Sequence, residues 1–343
     1  MSSAALHTRP GSLPRFGSGV HGSLGSQAEC HDEQCAEEGL NPEEWGDEHR
    51  APRDDYVCGL DRRPLLPLLL AGSTAAGALC MLMFQLPLLR QLLGGAAVIT
   101  LLFSLLYVAT LLCMGYTALA DPGTLLKQEQ DEAYVSLRDA RSDPMRLLTK
   151  SASGRGDADD EREEEMQLPK RAHKAWLYRQ PVRRYDHYCR WLTNVIGLLN
   201  HREFVVTVGC LVLCGVVGVL TDVILLMAFA TEEGWDVVLV LFLHLAYSLV
   251  LSLLAGPILY LHIGFISRNE LANEWKQHEF YVVRTEDGSV VAANDITNDD
   301  EFNKYFDSFY YDSTRNPFDK GVETNCWNFW FTSRWDAGQL GEF

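Results

Sequence analysis

Asp186, His187 and Cys189 fall within four consecutive positions of the stretch RRYDHYCRWLTNVIGLLNHREF, which runs from Arg183 to Phe204. An acid, an imidazole and a thiol this close together could be a nucleophile with its base, because a thiol reacts as thiolate and an adjacent imidazole can take its proton. They could equally be a fragment of a metal site, or carry no chemistry at all. The elements around them narrow the choice.

The chain has 343 residues and a formal net charge of -17, but its polarity is segregated. Charge is concentrated before Arg63, between Asp121 and Arg202, and after Arg268. The acidic excess argues against nucleic acid as a partner. Between the charged regions lie two nearly pure apolar blocks, Leu65 to Leu89 with Leu92 to Leu119, and Phe204 to Ala230 with Val237 to Ile266. A helix needs roughly 20 apolar residues to cross a bilayer, so each block holds two spans. Pro67 and Pro87 lie near the ends of the first span and Pro257 inside the fourth, positions that membrane helices tolerate. The joint between the first two spans carries only Arg90, and TEEGWD between the last two carries no base. The Lys/Arg bias therefore places both termini and the middle loop in the cytosol, in an endomembrane or plasma membrane. Asp222 and His244 are intramembrane ionisable residues, and a helix–helix hydrogen bond is the expected role of each. Intramembrane charge is otherwise sparse and no broken-helix repeat is visible, which disfavours a transporter.

The expected class is an all-α polytopic membrane protein. Residues 1–60 read as a disordered tail, 61–120 as spans one and two, 121–203 as a cytosolic loop with an acidic insert at 151–167, 204–266 as spans three and four, and 267–343 as a small cytosolic α+β region. In that last region a helix precedes a hairpin expected at Asp287-Gly288. The nine cysteines do not form a disulfide framework, since four lie in spans and the rest face a reducing compartment. Cys30, His31 and Cys35 could bind metal, but their Gly/Ser-rich acidic tail makes this a coincidence of a disordered segment.

The Asp-His-Tyr-Cys tetrad, followed by Trp191, Asn194, Gly197, Asn200 and Phe204, resembles the DHHC-type protein S-acyltransferases (palmitoyltransferases). Asp121-Pro122-Gly123 after the second span is similar to that family's Asp-Pro-Gly motif, and NPFDKGVETN at 316–325 to its C-terminal Asn-Pro-aromatic motif. LANEW at 271–275 occupies the place of its Thr-Thr-x-Glu motif and keeps Glu274. The resemblance covers roughly Arg62 to Phe331 and implies a two-step transfer. A fatty acyl group would pass from acyl-CoA to Cys189 as nucleophile, with His187 as base and Asp186 as orienter, and then to a protein cysteine. Arg183, Arg184 and Arg190 are candidates for the CoA phosphates, with snorkelling at the interface as the alternative.

The departures form a pattern. The family's cysteine-rich loop binds two structural zincs. Spacing from the tetrad places one ligand set at Ala175, Tyr178, Tyr188 and Val195, and the other at Glu161, Glu164, Lys174 and Pro181. None of the eight is Cys or His, and zinc needs about four ligands. The resemblance thus implies a DHYC variant that has lost both zincs, with acyl-CoA as co-substrate and no bound cofactor or metal. An apolar core of Ala175, Tyr178, Pro181, Tyr188 and Val195, with Trp176 and Leu177, is expected in their stead. Arg190 replaces the family's proline. That change, with the missing Thr pair, keeps open a catalytically inactive membrane scaffold or adaptor as the alternative to an acyltransferase.

Overall fold

The structure is a computed structural model. It describes residues 56–57, 60–61, 63–95, 97–125, 169–178 and 180–335, with Gln339 and Gly341. The Cys30 to Cys35 stretch, the acidic insert, Glu161 and Glu164 lie outside the described residues. The described part is mostly helical.

Four stretches are long and apolar enough to cross a membrane: Leu65–Leu93, Ala97–Leu119, His201–Phe229 and Trp235–Arg268. The first is composite. Helix α1 (Leu65–Cys80) runs into a π-helical turn (Met81–Gln85) and continues as α2 (Leu86–Leu93). The other three are α3 (Ala97–Leu119), α4 (His201–Phe229) and α5 (Trp235–Arg268). The apolar run had suggested that the second span begins at Leu92. It begins at Ala97, because the first span ends on Gly94, whose φ of 68° is a left-handed cap that glycine adopts without strain. Hydropathy could not separate the two spans, since Leu92 and Leu93 are as apolar as the helices on either side.

The spans present apolar side chains outward, among them Leu68, Leu112, Leu213 and Leu253. In the absence of water this is the lipid-facing surface. Inward, one continuous apolar cluster draws on all four spans, with Met81, Leu86, Met114, Val208, Leu211, Leu225 and Leu251 among its members. Helices α4 and α5 approach most closely. A Cβ on Gly215 would strike the Ser252 hydroxyl, and one on Gly218 the Ser248 hydroxyl. Small residues at a membrane helix crossing permit this contact.

Asp222 on α4 and His244 on α5 meet, as the hydrogen-bonding role required: His244 Nδ1 lies 2.6 Å from Asp222 Oδ2. A third partner was not anticipated. Gln85, at the end of the π turn, donates from Nε2 to Asp222 Oδ1 at 2.5 Å and sits 2.6 Å from His244 Nδ1. The extra residue of a π turn rotates the helix face locally, and here it carries a wholly buried amide into the bundle.

The described residues form two compact units. One holds residues 276–316; the other holds 51–275 and 317–343. In the smaller unit, strands Tyr281–Arg284, Val290–Ala292 and Tyr310–Tyr311 make an antiparallel sheet with the first strand central, and the hairpin turns through Gly288 at φ 84°. The larger unit holds the spans, the middle loop, the short helix α6 (Ala272–Lys276) as far as Trp275, and helix α7 (Val322–Phe331).

Replacing Asp222 by Leu leaves Gln85 and His244 with buried polar groups and no carboxylate. Each orphaned group costs about 1–3 kcal/mol, so Asp222→Leu is expected to lower the melting temperature in detergent clearly. Asp222→Asn, which keeps one acceptor, should lose less.

Candidate active site

The tetrad lies at the start of a two-stranded ribbon. Strand β1 (His187–Cys189) pairs antiparallel with β2 (Asn194–Ile196), with Tyr188 opposite Val195 and Cys189 opposite Asn194. Thr193 turns the connection with a φ of 48°. Side chains alternate along a strand, and this decides the site. Cys189 and Ile196 belong to the apolar cluster of the spans, whereas Tyr188 and Val195 pack in a separate cluster inside the loop. The thiol therefore faces the membrane bundle.

Asp186, His187 and Cys189 are brought together. Asp186 is wholly buried and its Oδ2 lies 2.7 Å from His187 Nδ1. The other carboxylate oxygen accepts the Ala272 backbone N–H at 2.9 Å. His187 in turn hydrogen-bonds Cys189, and its ring meets Phe204 edge-on at 5.1 Å. Burial alone would lower the imidazole's pKa. The hydrogen bonds to Asp186 and Cys189 outweigh it and hold His187 up at about 10. Burial likewise opposes the Asp186 carboxylate, but the surrounding imidazoles win and keep it far below its ordinary range.

Two further histidines close the site, and they were not singled out in the sequence. His201, the first residue of α4, places Nε2 3.8 Å from Asp186 Oδ1. His262, near the end of α5, stacks edge-on against Phe204 at 5.0 Å and lies 5.7 Å from the His201 ring. One ligand atom from each of Asp186, His201 and His262 falls within 4.8 Å of the others. The clue available in the sequence was position: each sits at the end of a span that faces the middle loop.

The flanking motifs are the scaffold. Asp121 Oδ1 accepts the N–H groups of Gly123 and Thr124, turning the chain as it leaves α3. Gly123, at φ 109°, offers its carbonyl to Arg183 N at 2.9 Å. Asn194 donates to the carbonyls of Thr117 and Ala120, satisfying groups that the end of α3 leaves open. Asn200 accepts from Gly197 N and donates to Val195 O, folding the ribbon onto α4. Gly197 admits no side chain, since a Cβ would stand 2.6 Å from Val182 Cγ1 and 2.8 Å from the Pro122 carbonyl. Glu274 pairs with Arg171 through both oxygens, at 2.7 and 2.8 Å, and also caps Leu271 N. The Arg171 guanidinium lies 3.6 Å from the Phe318 ring centroid, and Asn325 donates to the Ser267 carbonyl. The C-terminal motif is thereby fastened to the end of α5.

Residues 161–279 match the family model described as DHHC palmitoyltransferase. The chain carries a domain of that family. Its DHHC segment departs from the zinc chemistry of the family at every described ligand position. Ala175 and Val195 are buried and pack with Val182, and Tyr178, Tyr185 and Tyr188 close over them. Trp176 meets Tyr188 edge-on at 5.1 Å. Tyr178 donates its hydroxyl to Asn194 Oδ1 at 2.7 Å, and burial, followed by Asp121, pushes its pKa up to about 12. A phenol held that firmly in its protonated form is no zinc ligand, and alanine and valine have no donor at all. These residues do not fit the family's metal. Two details differ from the expected core. Val182 and Tyr185 belong to it, whereas Leu177 is 37% exposed.

The three arginines separate. Arg183 and Arg184 are buried; Arg183 bonds the Gln339 carbonyl, and Arg184 the Gly341 carbonyl and Asn269 Oδ1. Arg190 is exposed, next to a half-exposed Trp191. The sequence could not distinguish inward from outward cations, because the first two look as polar as the third.

The pH dependence of stability follows from His187. Its pKa is raised above the unfolded value of about 6.5, so its contribution is complete below that pH and is lost as pH rises through about 10. Against a His187→Phe variant, which keeps the ring packing, the wild-type advantage in melting temperature should be largest near pH 6 and shrink toward pH 10. A gap that widens with rising pH would contradict the arrangement.

Proposed function

We propose that this chain is a protein S-acyltransferase that moves a long fatty acyl group from acyl-CoA to protein cysteines through an acyl-Cys189 thioester. The observation that carries the reading is the unbroken chain of contacts from Asp186 through His187 to Cys189, with the sulfur in the apolar cluster of the spans. In the first step the thiol proton sits on His187, whose raised pKa favours the imidazolium, and the Cys189 thiolate attacks the acyl carbonyl. The carbon–sulfur bond to CoA breaks, and the proton passes to the departing CoA thiolate. In the second step a substrate thiol gives its proton to His187 and attacks the Cys189 thioester. Cys189 leaves and recovers that proton. Asp186 fixes the imidazole's tautomer and stabilises the imidazolium throughout.

Arg190, the exposed one of the three arginines, is the proposed contact for the CoA phosphates, whereas Arg183 and Arg184 are buried and hold the loop. The loop and both termini face the cytosol, where acyl-CoA and substrate proteins are found. The family's two zincs are replaced by the Ala175, Val182 and Val195 core and by the Arg171–Glu274 pair. An inactive scaffold has two arguments of its own, Arg190 in the place of proline beside Cys189 and the missing Thr pair at Leu271 and Ala272.

Incubation of the purified full chain with labelled acyl-CoA separates the readings. Label released by hydroxylamine and abolished by Cys189→Ser is expected, and His187→Ala should slow labelling by roughly 10²–10⁴. No thioester under conditions that suit an active family member would leave the scaffold. A label that survives Cys189→Ser would make the chain a substrate of such enzymes. A second measurement concerns the loop. A strong chelator should leave the melting temperature unchanged, whereas removal of a structural zinc would cost on the order of 10 kcal/mol and unfold the loop.

A further inference from the structure

The buried surroundings of Asp186 hold more nitrogen than the Asp186–His187–Cys189 chain uses. His201 is 2% exposed and His262 is 5% exposed. Among the described residues, neither ring nitrogen of His201 has a hydrogen-bond partner, and neither does His262 Nδ1. Burying such groups unsatisfied is costly. Phenylalanine would fill the same space without that cost, and Phe204 and Phe329 already stack against these rings. Yet the nitrogens converge on the one carboxylate that holds His187. At 3.8 Å the His201 Nε2 to Asp186 Oδ1 separation is too long for a direct bond, and it suits one bridging water. Asp186 Oδ1, His201 and His262 supply the two to four polar partners that a buried water requires.

We propose that His201 and His262 are positioning residues that hold the Asp186 carboxylate through a shared buried water, so that its other oxygen stays on His187. The water donates to Asp186 Oδ1 and to the His262 Nδ1 lone pair, and accepts the His201 Nε2–H. Together with the Ala272 N–H this stabilises a carboxylate that is cut off from solvent. The groups that face His187 are then Asp186, Cys189 and the His262 ring, at 5.9 Å, while His201 and Arg184 act on Asp186 from behind. The inference builds on the reading of Cys189 as a nucleophile activated by His187, but its test does not need acyl-CoA.

The test is the rate of Cys189 alkylation by iodoacetamide in the full-length protein in detergent, followed by mass spectrometry of the Cys189 peptide across pH. His201→Phe and His262→Phe keep the ring packing and remove the nitrogens. Each should slow alkylation at neutral pH by about 10-fold, the worth of one pKa unit, and displace the pH profile upward. His201→Gln returns a donor nitrogen and His262→Asn an acceptor oxygen to about the same place, and both should recover most of the rate. A merely structural pair would change the melting temperature but not the pH profile, and would show no recovery with the amides. Unaltered profiles in folded Phe variants would overturn the proposal. So would amide variants that behave like Phe, and so would one tightly bound divalent metal per chain that both Phe variants lose. Should the Phe variants fail to fold, the amide variants decide alone: profiles close to wild type support the water-bridged arrangement, and profiles displaced by 10-fold or more refute it. Activated alkylation with no acyl transfer would sink the acyltransferase reading and leave this one standing.

Discussion

The interaction on which the active region depends is the burial of the Asp186 carboxylate. A charge taken wholly out of water costs several kcal/mol unless each lone pair is met. Here two hydrogen-bond donors and two neighbouring imidazoles come from four different places in the chain: His187 from the ribbon and the Ala272 N–H from the segment after α5 bond the carboxylate, and His201 from the start of α4 and His262 from the end of α5 lie beside it. Meeting the cost of one anion therefore brings the loop, two spans and the post-span segment to a single point. The same demand is met with Leu271 and Ala272 in the place of the Thr-Thr pair. A backbone N–H reaches Asp186, and a main-chain donor is indifferent to the side chain that carries it.

The loop is held by terms of comparable size to a structural zinc. Three fully buried aliphatic groups and three half-buried tyrosines at about 1.5–3 kcal/mol per large side chain give a gross gain near that of one structural zinc. A metal fixes geometry as well as energy, and apolar packing is not directional. Direction comes from polar contacts instead. Arg171 is the clearest case, with Glu274 on two nitrogens, Asn269 on two and Phe318 beneath the plane. A bidentate buried pair of this kind is weak evidence for stability but strong evidence for a fixed register, since removing one partner strands a charge.

The spans and the tetrad were legible because their signals are local. Twenty apolar residues, or Asp-His-x-Cys with Asp-Pro-Gly upstream, can be read without knowing what lies opposite. The loop core was legible in part, since Ala175, Tyr178, Tyr188 and Val195 announce themselves by occupying ligand positions. Val182 and Tyr185 do not, and it is pairing visible only in the fold, Val182 with His173 and Thr124 and Tyr185 N with the Arg171 carbonyl, that fixes their stretches of the loop. Gln85 was hidden for a similar reason. An isolated glutamine near the end of an apolar run looks interfacial until a π turn rotates it toward Asp222. His201 and His262 are 61 residues apart and meaningful only together. Arg183 and Arg184 stand as candidates for the CoA phosphates in the sequence, whereas their carbonyl partners include Gln339 and Gly341 near the C-terminus, which no periodicity predicts.

Strand alternation links these points. With a period of two, a tetrad written Asp-His-Tyr-Cys must send its third residue away from its second and fourth. Tyr188 therefore faces the loop interior, where a family zinc ligand would stand, while His187 and Cys189 face the spans. A substitution at the third position acts on the loop's packing without passing through the reacting atoms, and one at the second or fourth does the reverse. The register Tyr188 opposite Val195 and Cys189 opposite Asn194 enforces the division, because a slip of one residue would turn the sulfur from the bundle into the aromatic core. Asn194 guards against that slip. Its amide is bonded to two carbonyls at the end of α3 and its oxygen to Tyr178, so the ribbon cannot shift without breaking all three. The change at the ligand position Tyr188 and the retention of Cys189 are thus compatible for a geometric reason: they lie on opposite faces of one three-residue strand.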